Sequence, residues 1–315
     1  MLGYSLAFAL PFTLFAIFPQ WLTSLPKSGG WLNSVKVVLG FVELAFALKF
    51  FSIADQAYHW RLLDREVYLA AWIVIFTLTG FYLLGKIRLP HDSPIEKLSV
   101  SRLSLSIVVF SFVAYMIPGL WGAPLKKLSG YLPPETSQDF YLRNAKPGSA
   151  ATSSISTLCD PPKYADFLHL PHNIQGYFDM KQALACAKQQ NKPVFVDFTG
   201  HGCVNCREME ASVWSDPEVL KRLETDFVVV AIYVDDKTEL PESDWYVSKN
   251  DGREKKTIGK QNADLQVAQY GSNSQPLYVL LSPDGKLLTQ PRSYNLNVQE
   301  FVQFLDEGKA KMKGI

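Results

Sequence analysis

The sequence predicts an α-helical membrane bundle of about four transmembrane helices, followed by a small α/β domain. Three observations lead there. Long apolar runs nearly free of charge fill the first third of the chain, a polar stretch rich in Pro, Ser, Gly and Thr follows, and beyond it strand-like apolar runs alternate with amphipathic helical ones. Of the 315 residues, 48% are apolar. Up to Gly122 there are 9 Lys/Arg and 6 Asp/Glu, against 22 and 24 afterwards. The net charge of +1 argues against a nucleic-acid binder, whose domains carry a clear basic excess. Four cysteines are too few for a disulfide scaffold, and two of them lie close together, which points to chemistry.

Residues 1–125 read as the membrane domain. No charged residue occurs in 1–26, and 4–25 is long enough to cross a hydrocarbon core of about 30 Å. It lacks the positive start, short apolar stretch and cleavage site of a signal peptide, so it reads as a span. Residues 67–85 and 103–125 are further charge-free runs, and 35–54 is a fourth candidate with Glu43 inside and Lys36 and Lys49 towards its ends. The lysines can snorkel to the headgroups, whereas a mid-span carboxylate costs at least about 2.5 kcal/mol unless protonated, paired or wet. Glu43 is therefore a functional candidate, with a protonated carboxyl joining helices as the alternative. Pro11, Pro19 and Pro118 read as packing features. Lys27, Lys36, Lys86, Arg88, Lys97 and Arg102 flank the first and third loops, against Arg61, Arg65, Lys126 and Lys127 on the other side, so the C-terminal half is expected outside the cytoplasm.

Residues 126–175 have no sustained apolar period and read as an extracytoplasmic linker. Residues 176–315 then alternate. DMKQALACAKQQ predicts a helix with Asp179 near its start, KPVFVDFTG a buried strand, CVNCREMEASVW and EVLKRLETD helices, and FVVVAIYVD a second strand. NADLQVAQYG predicts a short helix, PLYVLLS and GKLLTQ a pair of strands, and NVQEFVQFLDEGKAKM a closing amphipathic helix. The long polar insertion at 235–260 reads as functional or disordered. Asp235 and Asp236 within it read as a solvated face rather than a metal site, because no histidine or cysteine stands with them in sequence, and Trp245 and Tyr246 as aromatics that pin the loop, with contact to a partner as the alternative.

Cys203 and Cys206 form C-V-N-C directly after the strand VFVDF. At a strand-to-helix turn the first sulfur sits at the helix N-terminus, where unpaired N–H groups and the helix dipole stabilise a thiolate. Cys203 is the expected nucleophile. Cys206, one turn further in, is placed to attack a mixed disulfide on Cys203 and leave an internal disulfide, so it is the expected resolving thiol. A structural zinc site needs four ligands, and Cys159, Cys186 and His201 supply no second pair at suitable spacing. Covalent haem attachment needs His after the second Cys, where Arg207 stands.

FVDFTGHGCVNCREMEASVW, the later YGSNSQP before a strand, and SPDGKLL resemble the thioredoxin superfamily. The first of these is similar to the C-terminal thioredoxin-like domain of the DsbD-type thiol:disulfide interchange proteins, and LPFTLFAIFPQWLTSLPKSGGWLNSVKVVLGFVELAFALKF is similar to the later part of that family's membrane domain. The resemblance implies a thioredoxin-like fold for 176–315 and protein-disulfide reductase activity, with a redox-active Cys203–Cys206 disulfide and no other cofactor or metal. It implies that Asp197, six residues before Cys203, is a buried acid that moves the resolving cysteine's proton, and that Pro276 is a cis-proline shaping the substrate edge. The spacing alone says only that Asp197 ends a strand and that a turn precedes Pro276. The resemblance also implies a bacterial inner-membrane location with the C-terminal domain in the periplasm, partners among periplasmic thiol:disulfide carriers, and a role in disulfide repair and cytochrome c maturation.

Two departures from the family pattern stand out. Gly202 precedes the first cysteine, where thioredoxins usually have Trp, and the chain has four expected spans and no cysteine before Cys159, where the family's membrane domain has about eight helices and its own cysteine pair. The chain is thus expected to be the C-terminal half of such a protein, truncated or split, with its electron-donating membrane pair outside it. A bridge between Cys159 and Cys186 is permitted outside the cytoplasm. The preferred reading makes Cys186 a small core residue and Cys159 a free linker thiol. His201 is read as a solvent-exposed neighbour of the active site, with tuning of the thiolate as the alternative, and His59, His91, His169 and His172 as forming no ligand cluster. The competing functions are a membrane-tethered disulfide oxidase or isomerase, and a binding module with structural cysteines.

Overall fold

A computed structural model describes residues 31–90, 92, 97–138 and 158–314. The first expected span, 4–25, and His91 lie outside the described residues. Among the described residues, three helices are long and apolar enough to cross a membrane: α1 (Trp31–Tyr58), α2 (Arg65–Leu83) and α3 (Val100–Met116, extended by a 3-10 turn to Trp121). They match the second, third and fourth expected spans.

Contacts group the described residues of 1–46 and 74–113 into one compact unit and those of 47–73 and 114–315 into a second. In the first unit, Gly80 lets two helices approach closely, since a Cβ there would lie 2.7 Å from the Phe110 ring. Asp92 accepts hydrogen bonds from Tyr82 Oη and Asn33 Nδ2, while Arg102 donates to Ser34 Oγ and to the Leu83 carbonyl. Glu43 stands exposed on α1.

The second unit holds the α/β domain. Its central sheet has the order β1-β3-β2-β6, built from β1 (Gly176–Tyr177), β2 (Val194–Thr199), β3 (Val228–Tyr233) and β6 (Leu277–Leu281), all parallel except β6. A short hairpin of β4 (Tyr246–Val247) and β5 (Glu254–Lys255) stands apart. The helices are α4 (Met180–Gln190), α5 (Val204–Met209), α6 (Pro217–Asp226), α7 (Ile258–Tyr270) and α8 (Val298–Lys313). Asp179 caps α4 as expected, accepting the Gln182 N–H at 2.9 Å. The GKLLTQ segment contributes only an isolated bridge, Leu287 to Leu281, instead of a strand.

Residues two apart on a strand share a face, and this alternation sorts the core into two layers. Phe195, Val229, Ala231, Tyr278 and Leu280 pack with Met209, Val213, Trp214, Leu223, Phe301 and Phe304 on one side. Val194, Val196, Phe198, Val230 and Val279 pack with Ala183, Cys186 and Ala187 on the other. Each large apolar side chain fully buried in these layers stabilises the fold by about 1.5–3 kcal/mol. Strand β2 lies between β3 and β6, so both of its faces are covered, which is why VFVDF reads as a near-continuous apolar run.

The stretch expected to be a linker contributes to this core, through Leu168, Leu170 and Ile174. It is also bridged. Cys159 and Cys186 form a disulfide, against the reading of a free thiol and a core cysteine. The cause is local: Tyr177 Oη accepts the Cys159 N–H at 3.0 Å and donates to Asp160 Oδ1 at 2.9 Å, which lays this segment across α4. Lys49 departs from the snorkelling expected of it and is buried.

Candidate functional site: a dithiol pair at a helix N-terminus

Strand β2 ends at Thr199, and Gly200–Gly202 turn the chain into α5. Cys203 is the N-cap of α5. Its Sγ accepts the Cys206 N–H at 3.1 Å, so one orphan donor of the helix points at this sulfur. The two cysteines are joined as a disulfide. Cys203 is half-buried, and Cys206 is only 1% exposed. An attacking thiolate can therefore come from Cys203, and Cys206 is screened from outside partners.

The turn is fixed from the end of β3. Asp235 accepts the His201 N–H at 2.8 Å and the Gly202 N–H at 2.9 Å. Gly200 leaves room for this carboxylate, because a Cβ there would lie 2.9 Å from Asp235 Oδ2 and push it aside. At Gly202 a Cβ would lie 3.1 Å from Ile53 Cγ2, near the end of α1. Ile53 fills the space that a larger side chain before Cys203 would need, which gives the departure from Trp a steric reason.

Beneath α5 lies a buried charged group. Asp197 alternates with Phe195 on β2, so it faces the layer that α5 packs against. It is 2% exposed and its Oδ1 has no hydrogen-bond partner. Burial pushes its carboxyl well above the usual carboxylate range; Glu210 adds to this and Arg207 opposes it. Arg207, directly after Cys206, pairs with Glu210 Oε2 at 2.9 Å and donates to Thr199 Oγ1 at 3.1 Å. Burial also lifts Glu210 to about 7, against the pull of Arg207. Glu210 opens a π-helical turn to Trp214, and its carbonyl accepts a hydrogen bond from His172 Nε2 at 2.7 Å. The sequence reading did not single out Arg207 or Glu210 for this role. Their spacing of three on a helix directly after Cys206 is the one signal that could have raised them.

The Gln275–Pro276 peptide bond is cis, and Pro276 is buried at the start of β6. Gln275 Nε2 donates to Gln266 Oε1, and Gln266 Nε2 to the Ser274 carbonyl. A shallow groove brings Gln275 together with Gly202, Cys203, Val204, Asn205 and Asp235. Two cysteines, a buried acid under their helix and a proline turn beside their groove thus converge at one end of the sheet.

Residues 180–309 match the thioredoxin-like domain family. This part of the chain is a thioredoxin-like domain. Thiol:disulfide interchange protein DsbD of Vibrio vulnificus is 27% identical over 222 residues, covering 70% of this chain and 29% of that protein. DsbD 2 of Pseudomonas aeruginosa is 31% identical over 206 residues, covering 64% of this chain and 28% of that protein. The reduced C-terminal domain of Neisseria meningitidis DsbD aligns at 20% identity with a TM-score of 0.31, covering 41% of this chain and 93% of that domain. The chain spans about 30% of the length of the curated relatives it matches.

Three readings around the thioredoxin-like site are corrected. His201 is not solvent-exposed: its side chain is 9% exposed and stacks on Tyr233 with ring centroids 4.6 Å apart. Asp236 is not part of a solvated face but is fully buried. His59 does join a cluster, since its Nε2 and that of His201 both meet Asp236 Oδ2, at 2.8 and 3.0 Å. Distance along the chain hid all three, because His59 lies 177 residues from Asp236. Trp245 and Tyr246 do pin the 235–260 insertion, through bonds to the Leu240 carbonyl and Asp264.

Proposed function

We propose that this chain is a membrane-anchored thiol:disulfide oxidoreductase whose thioredoxin-like domain reduces disulfides of other thiol carriers. The observation that carries this reading is the asymmetry of the pair: Cys203 half-buried at a helix N-terminus, Cys206 shielded one turn behind it. In the reduced domain the Cys203 thiolate attacks a sulfur of the partner's disulfide. A Cys203–partner mixed disulfide forms, and the partner's other sulfur leaves as a thiolate that takes up a proton. Asp197 then accepts the Cys206 proton, and the Cys206 thiolate attacks Cys203 Sγ, expelling the partner's second thiol and closing the Cys203–Cys206 disulfide. Two electrons pass to the partner and the domain is oxidised. A carboxyl with raised proton affinity suits this task, since proton transfer from a thiol works best between groups of similar pKa. Pro276 and the groove beside Gln275 receive the partner's extended segment.

The names of the relatives support thiol:disulfide interchange, and the direction of electron flow follows from them by analogy. On this reading the domain faces the periplasm, acts in disulfide repair and cytochrome c maturation, and is re-reduced by a dithiol donor outside this chain, which has no cysteine before Cys159. No cofactor besides the cysteine pair enters the reaction. The test is the equilibrium reduction potential of the full chain in detergent against a glutathione or dithiothreitol series, with Cys203→Ala as control. A reversible two-electron couple at or below the glutathione potential is expected. A much more oxidising couple would assign an oxidase or isomerase, and no couple would leave a binding module.

A further inference from the structure

We propose that His59, His201 and Asp236 form a divalent-cation site, of the kind that takes Zn²⁺, beside the dithiol and separate from it. All three residues belong to the same compact unit. Their candidate ligand atoms, two imidazole Nε2 and one carboxylate Oδ2, lie within 4.8 Å of one another. Two imidazoles and a carboxylate are a donor set that zinc uses with a solvent molecule in the fourth position. Zinc bonds to such donors at about 2.0–2.2 Å, which sets ligand atoms about 3.3 Å apart in a tetrahedron. The Nε2–Oδ2 separations of 2.8 and 3.0 Å therefore need to open by only a few tenths of an ångström.

Charge gives an independent reason. The Asp236 side chain is fully buried, and among the described residues its ion-pair partners are these two histidines, with no Lys or Arg. A buried carboxylate is best matched by a permanent positive charge, and an imidazole carries one only while it is protonated. A divalent cation between the three groups provides that charge.

The ligands are also held from behind, as metal ligands generally are. Asp236 Oδ1 accepts the Thr238 N–H at 2.9 Å, leaving Oδ2 for the cluster. His201 is stacked on Tyr233, and its backbone N–H is fixed by Asp235. The His59 ring packs on Phe167 at 4.4 Å, and the Lys237 N–H donates to the Ala57 carbonyl, which ties the end of α1 to the residue after Asp236. The His59 side chain, 20% exposed, leaves an entry for the ion and its water. A bound cation would cross-link the end of α1, the loop two residues before Cys203 and the end of β3.

The experiment uses the detergent-solubilised full chain, purified through a tag without histidine, stripped with chelator and kept oxidised so that no thiol can ligate. Equilibrium dialysis against Zn²⁺ with elemental analysis is expected to give one equivalent of tightly bound metal. His59→Gln and His201→Gln, which keep polar side chains there, are each expected to weaken binding by about tenfold or more, the loss that even an outer-shell change causes. His169→Ala, a change at an exposed neighbour, is expected to leave it unchanged. No bound zinc in the wild type, or zinc retained undiminished in both Gln variants, would overturn the proposal. Activity is not the readout, so the result is independent of the redox reading.

Discussion

Replacing Cys159 by Ser opens the Cys159–Cys186 bridge while keeping a small polar side chain at an exposed position. The bridge closes a loop of 27 residues, and the chain-entropy model gives about 3.5 kcal/mol of stabilisation for that length. The same model gives only about 1.6 kcal/mol for the three-residue separation of Cys203 and Cys206. The two bridges thus differ in kind: the long one restrains the unfolded chain, and the short one opens at little cost to the fold. Urea unfolding of the full chain in detergent, followed through the fully buried Trp214, is the assay. With a slope of about 2 kcal/mol per M, Cys159→Ser should lower the midpoint by roughly 1.5–2 M, whereas Cys206→Ser should lower it by less than half as much. Under graded dithiothreitol, thiol titration of the folded wild type should show the Cys203–Cys206 pair opening first. A Cys159→Ser midpoint within about 0.3 M of wild type would refute the staple, and simultaneous opening of both bridges would refute the division of labour.

Other outcomes follow from the site. Cys203→Ser and Cys203→Ala should both abolish disulfide exchange, but only the alanine loses the N-cap acceptor, so it should be less stable than the serine variant by about 1 kcal/mol in the same urea titration. If Asp197 accepts the Cys206 proton as proposed, Asp197→Asn should make a mixed disulfide on Cys203 persist in rapid-quench gels, its resolution slowed by about a hundredfold. Folding raises the proton affinity of Glu210, so its stabilising contribution is complete below about 4.5 and lost as pH rises through about 7; wild type should lose stability across that window, and Glu210→Gln should flatten the profile. Gly202→Trp should destabilise the chain by colliding with Ile53, and Ile53→Ala should recover part of the loss in a double-mutant cycle.

The features that depend on short-range pattern were legible in the sequence. Short continuous apolar runs exposed β2, β3 and β6, the 3.6 period exposed α4 and α8, and Asp179 announced its helix. Cys203 and Cys206 were legible because their chemistry needs only a strand, a turn and a helix in that order. What failed was everything set by distant chain crossings. Polarity marked Asp236 as surface, yet it is buried because two histidines reach it, one from before the linker and one from the active-site turn. Cys159 read as a free thiol because nothing in its composition shows that Tyr177 will draw the segment across α4.

The same distinction explains how the site is arranged. A Cys-x-x-C turn supplies a nucleophile and a resolving thiol by local geometry alone, but local geometry does not provide a proton acceptor for the shielded cysteine. On the proposed mechanism strand alternation provides it, by turning Asp197 to the face beneath α5, where no hydrogen bond meets its Oδ1. A lone buried carboxyl would simply stay protonated. Arg207 counters that tendency electrostatically, and because Arg207 is itself paired to Glu210, it only partly offsets the burial of Asp197. Asp197 feels the charge of Glu210 as well as that of Arg207, so a proton taken up by one buried carboxyl changes the proton affinity of the other. This predicts that Asp197 and Glu210 titrate as a pair: Glu210→Gln should change the pH dependence of the resolving step as well as that of stability, although Glu210 never touches the partner. A resolving-step pH profile identical in wild type and Glu210→Gln would confine Glu210 to holding Arg207.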